Sequence, residues 1–89
     1  MKAGGGITIY PNPIQDHTLV LQMIGQAKGD HSINLYTSKG EKVMNSFVSH
    51  DGHDAVRSIL LNKNLLAGIY YLEIIGPADK RQAFKIFIH

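Results

Sequence analysis

The chain has 89 residues, no cysteine, nine Lys and Arg against seven Asp and Glu, and a formal net charge of +2. That is one domain, with too little volume for a deep catalytic cavity. It excludes a disulfide scaffold, a cysteine-liganded zinc site and a thiol nucleophile, and two excess charges scattered along the chain do not indicate nucleic-acid binding.

Eleven Ile, four Val and three Thr favour pleated structure over helix. Residues 1–6 begin Met-Lys-Ala and continue as three glycines, without an apolar stretch, and read as a flexible linker preceding a domain over 7–89. The first strand is expected at Ile7–Tyr10, ended by Pro11-Asn12-Pro13, where two prolines lack the N–H that a ladder needs. The second is Thr18–Ile24, with Leu19, Leu21 and Met23 on one face, and the third His31–Thr37, with Ile33 and Leu35 together. A turn at Ser38–Gly40 follows, with Gly40 suited to the left-handed position of a bulged hairpin. The remaining strands are Glu41–Ser49, Ala55–Leu61, Gly68–Ile75 and Gln82–Ile88, and Asn62–Leu66 has the length of one helical turn. Turn signals every few residues between alternating runs predict an all-β, immunoglobulin-like antiparallel sandwich of about seven strands.

Alternation predicts an inward set of Leu19, Leu21, Ile33, Leu35, Ile59, Leu61, Tyr70, Leu72, Ile74, Phe84, Ile86 and Ile88. Leu65-x-x-Gly68-x-Tyr70 stands where the sixth strand begins. In immunoglobulin-like sandwiches a tyrosine at this point sends its hydroxyl back to upstream backbone. Leu65 would plug that corner, and Gly68 would permit close backbone approach.

Residues that could carry chemistry are few. His50-Asp51-Gly52-His53-Asp54 has two histidines three apart near carboxylates, but one loop rarely closes a four-ligand shell, and the same residues suit a solvated turn. Neither a Gly-x-Ser-x-Gly elbow nor a phosphate-binding glycine loop is present. Pro11-Asn12-Pro13 reads as a rigid corner, with the Asn12 amide closing a local turn. No catalytic, cofactor or metal residue is assigned, and no enzymatic activity is expected.

Several motifs in order resemble a known family. Tyr10-Pro11-Asn12-Pro13 opens the series. Ile33-x-Leu35-Tyr36 follows, with Gly40 and Val43 behind it. Leu65-x-x-Gly68-Ile69-Tyr70 comes next, and Lys85-Ile86 stands near the end. The order and spacing resemble the type A C-terminal sorting domain of the type IX secretion system. The resemblance implies an immunoglobulin-like domain serving as an address rather than as cargo. It implies a larger parent that reaches the periplasm by its own signal peptide and ends at the cell surface or secreted. The implied partners are the covalently linked N-terminal cargo, an outer-membrane translocon, a shuttle protein, and a sortase-like cysteine protease that removes the domain. A stand-alone adhesion or carbohydrate-binding sandwich is the alternative.

The period of two carries one further expectation. With Tyr70, Leu72 and Ile74 inward, Ile69, Tyr71, Glu73 and Ile75 face outward, as do Lys85 and Phe87. If the third, sixth and seventh strands share a sheet, Tyr36 joins them. Tyr36, Ile69, Tyr71, Lys85 and Phe87 are the expected partner-binding residues, because grouped exposed apolar side chains often mark an interface.

Overall fold

The computed structural model describes residues 6–11 and 13–89. Seven strands run in the order β1 (Gly6–Tyr10), β2 (Thr18–Ile24), β3 (Gly29–Thr37), β4 (Lys42–His50), β5 (Ala55–Leu60), β6 (Gly68–Ile75) and β7 (Arg81–Ile88). A single 3-10 turn, Pro77–Asp79, joins β6 to β7. Asn62–Leu66 closes through one turn bond, from Leu65 N–H to the Asn62 carbonyl at 3.1 Å. Gly6 belongs to β1, paired with Ile24, one residue earlier than expected. The rest of the expected linker, and Asn12, lie outside the described residues.

All pairings between these strands are antiparallel, in a three-stranded sheet β1-β2-β5 and a four-stranded sheet β4-β3-β6-β7. A seven-stranded immunoglobulin constant domain places its fourth strand beside the fifth. Here β4 has moved to the other sheet, beside β3. The facing edges of β4 and β5 are bridged by Arg57, which donates to the Ser49 carbonyl at 3.2 Å.

The core lies between the sheets and is built by the alternating residues of each strand. Eleven of the twelve expected inward residues are buried, and Phe84 is half-buried against the same cluster. Ile7, Met23 and Ile14 complete it. Ile14 is the one with no strand pattern around it. It follows the corner at Pro11 and Pro13 and forms a parallel bridge with Ile88.

The tyrosine corner forms as expected: the Tyr70 hydroxyl donates to the Leu66 carbonyl at 2.7 Å, and Leu65 packs against the core. Gly68 has a different role from the one expected. A Cβ there would meet nothing within 4 Å, but its φ is +150°, which side-chain-bearing residues rarely adopt. Conformation, not close approach, selects glycine at this point.

One bulge sets the inside and outside of β4. Tyr36 pairs with Lys42 but Leu35 pairs with Met44, so Val43 is an extra residue. An unbulged ladder would pair Leu35 with Val43 and turn Phe47 inward. The extra residue reverses the parity of everything beyond it. Met44, Val48 and His50 therefore face the core, and Phe47 faces solvent at 66% exposure.

Candidate functional site

The outer face of the four-stranded sheet gathers the residues expected for partner binding. Cross-strand pairing aligns Lys42, Tyr36, Tyr71 and Lys85 in one row across all four strands. Beside it, Ile69 pairs with Phe87. On the other side run Asn45, Asn34, Glu73 and Ala83, and beyond them Phe47, Ser32, Ile75 and Arg81. Neighbouring strands are about 4.8 Å apart, so each row is a continuous strip of side chains. Ile69, Tyr71 and Phe87 are exposed by 37%, 43% and 44%, while Tyr36 and Ile75 are half-buried.

The polar side chains order this strip. The Tyr36 hydroxyl donates to Glu73 Oε1 at 3.2 Å, and Arg81 holds Glu73 Oε2 at 3.3 Å. Desolvation on the sheet face, then the hydrogen bond to Glu73 and its charge, push the Tyr36 phenol above its ordinary value; Arg81 opposes the shift. Lys42 Nζ lies 5.9 Å from the Tyr36 ring centroid, and Lys85 Nζ 5.9 Å from that of Phe87. Exposed cation–π contacts of this kind contribute about 0.5–1 kcal/mol each. They hold the ammonium groups over rings, where a carboxylate approaching the face would meet them. Asn45 donates to the Asn34 amide oxygen at 2.6 Å, which ties β4 to the same surface.

Phe47 extends this face and escaped the sequence reading. Period-two counting from the hairpin turn places it inside, and only the Val43 bulge reverses that.

The other family-motif residues serve the frame. Tyr10 ends β1 and is joined to Pro11 by a cis peptide bond; both are exposed, as is Pro13 before Ile14. Gly40, at φ +90°, closes the β3–β4 hairpin, its N–H donating to the Thr37 carbonyl at 2.9 Å. Leu65, Gly68 and Tyr70 make the corner, and Ile86 is core.

The His50–His53 grouping does not form. β4 extends through His50, which is 3% exposed on the inner face. His53 stands in the following turn with a side chain 88% exposed, 3.5 Å from Asp51. The His53 backbone N–H donates to Asp51 Oδ1 at 2.9 Å and is the main cause that lowers the Asp51 carboxyl below its ordinary range. Among the described residues, no three His, Cys, Asp or Glu are grouped to hold a metal.

Comparison with protein-family models matches residues 8–89 to the secretion system C-terminal sorting domain. No curated protein and no solved structure matches the chain.

Proposed function

The chain belongs to the secretion system C-terminal sorting domain family, and we propose that it is the removable address of a larger exported protein, read through the outer face of its four-stranded sheet. Its family is that of the type IX system, whose sorting domains are joined to a cargo protein and recognised by the secretion machinery. The finer sequence of events is the proposal. The cargo crosses the periplasm, the translocon and its shuttle grip this domain, and a sortase-like cysteine protease then cuts it from the cargo at the cell surface. The domain supplies a binding surface and performs no chemistry of its own.

The observation that carries the recognition surface is the row Lys42, Tyr36, Tyr71, Lys85 beside Ile69 and Phe87. Rigid aromatic rings give contact area at small conformational cost, and flanking cations give orientation. Tyr71 and Phe87 are the apolar anchors and Lys85 the charged one. A partner with an apolar patch edged by carboxylates fits such a strip.

The test fuses the chain to an inert reporter that is delivered to the periplasm. The fusion should reach the cell surface, and the reporter alone should not. A Tyr71→Ser, Phe87→Ser double variant that still unfolds cooperatively should lose export. Normal export of that variant would place recognition elsewhere on the domain. Retention of the wild-type fusion in the periplasm would remove the sorting role itself.

A further inference from the structure

A cleft of about 260 Å³ opens where the loop after β2 meets the turn between β6 and β7. Its lining includes Gln26 from the loop, His31 from β3, Gly76, Pro77 and Lys80 from the turn, and Gln82 from β7. None of the lining residues is acidic. The Gly76 N–H donates to the Lys80 carbonyl at 2.8 Å, which closes the turn and sets Lys80 beside Gly76. Among the described residues, the Lys80 ammonium forms no ion pair.

His31 is 2% exposed and presents one ring edge to this cleft. Its Nδ1 lies 3.2 Å from the Gly29 carbonyl, which can only accept, so Nδ1 carries the proton. In the neutral ring Nε2 is then an acceptor, and among the described residues it makes no hydrogen bond. The Nε2 edge is turned toward Gly76, where an added Cβ would lie 2.9 Å from Nε2 and cap it. Gly76 has ordinary extended angles, so its backbone does not call for glycine, and its missing side chain leaves the Nε2 edge open. The two glutamines are tied in place. Gln82 Nε2 donates to Gln26 Oε1 at 3.3 Å, and Gln26 Nε2 to the Ile24 carbonyl at 3.0 Å. Each amide nitrogen keeps a second N–H for a ligand.

We propose that this cleft binds a small hydroxy acid, its hydroxyl donating to His31 Nε2 and its carboxylate accepting from Lys80 Nζ. The two groups ask for different things. An ammonium without an ion pair calls for an anion, and an imidazole lone pair calls for an O–H. A plain carboxylate would set an oxygen against the Nε2 lone pair, and a neutral polyol would leave the ammonium unanswered. A hydroxy acid satisfies both, and the glutamine N–H groups can donate to its other oxygens. Pro77 gives its carbon chain an apolar wall. Few polar groups converging beside an apolar wall are the usual make-up of a small-molecule site, and the volume suits a molecule of a few carbons. The site does not depend on the sorting role.

The experiment titrates glycerate, propionate and glycerol separately into the full chain at constant ionic strength, followed by nitrogen NMR shifts of the histidine rings and by thermal unfolding. The three probes share a carbon skeleton and differ in what they offer: hydroxyls with a carboxylate, a carboxylate alone, hydroxyls alone. Glycerate should saturate, move the His31 Nε2 resonance and raise the Tm, because a ligand of the native state alone stabilises it. Propionate and glycerol should each bind about tenfold more weakly or worse, the scale of one lost charged or well-placed hydrogen bond. Lys80→Gln, at an exposed position, should keep the fold and weaken glycerate by a similar factor. Absence of saturable glycerate binding overturns the site. So do equal affinity for propionate or for glycerol, ring shifts centred on His17 or His53, or undiminished affinity in Lys80→Gln.

Discussion

Ile14 is clasped by the last strand: its N–H donates to the Phe87 carbonyl at 2.6 Å, and its carbonyl accepts from the His89 N–H at 2.8 Å. Its side chain is fully buried between the sheets. The segment that leads out of Pro13 is thereby sewn to the C-terminal end of β7, so Ile14 and the motif around Lys85 belong to one structural unit. Ile14→Ala keeps both backbone bonds and removes the buried side chain. It should cost about 2–5 kcal/mol, as other buried Ile truncations do, measured by urea unfolding with an unchanged m-value.

The tyrosine corner separates packing from hydrogen bonding. Tyr70→Phe keeps the ring and removes the donor to Leu66, so it should destabilise by about 1 kcal/mol. Leu66 contributes only its carbonyl, because its side chain is 80% exposed. Leu66→Ala should therefore change stability by no more than about 0.5 kcal/mol. A larger loss in Leu66→Ala than in Tyr70→Phe would contradict this assignment.

Two glycines should resist alanine for opposite reasons. Gly40 has open space around it but a φ of +90°, so the strain of Gly40→Ala is in the backbone. Gly76 has ordinary extended angles, φ −93° and ψ −173°, but an added Cβ would collide with the His31 ring. Both substitutions should lower the midpoint of thermal unfolding. Only the Gly76→Ala loss should be recovered in part by shortening His31, so a double-mutant cycle with His31→Ala should show coupling at position 76 and none at position 40.

Two groups should make stability depend on pH at opposite extremes. The Tyr36 phenol is raised above 10.0, so its contribution is fully present below the ordinary tyrosine range and is lost as pH rises through the folded-state value. Tyr36→Phe should remove that part of the alkaline loss, and a tyrosinate absorbance titration should show one phenol fewer ionising above the ordinary tyrosine range. The Asp51 carboxyl is lowered below 3.8, so its contribution is present above that value and disappears as pH falls through the folded-state value. Asp51→Asn should flatten the acid limb of the stability curve and leave the alkaline limb as it is.

Much of the frame was legible because its signals are local. Thr18–Ile24 and Ile69–Ile75 bury alternate residues, and β2 and β6 have the predicted bounds. Leu65-x-x-Gly68-x-Tyr70 carries its own hydrogen-bond partner within five residues, so the corner could be read from sequence. The outward set on β6 and β7 followed from the same period of two. Ile14 was not legible, because a lone apolar residue between Pro13 and Gln15 has no periodic neighbours. Its burial depends on backbone bonds to residues more than seventy positions away.

By itself, then, the sequence determined seven strands, their facing on either side of Tyr70 and Phe87, and the corner at Gly68, since alternation and turn chemistry act within a few residues. The tertiary structure decided the rest. The Val43 bulge is a cross-strand register shift, and that one inserted residue turned Phe47 out to the sheet face and His50 into the core. Which histidine meets which was decided the same way: His50 lies three residues from His53 in the chain, but ladder hydrogen bonds to β3 carry it to His31. Register depends on pairing between segments distant in sequence, and no local pattern of residue types contains it.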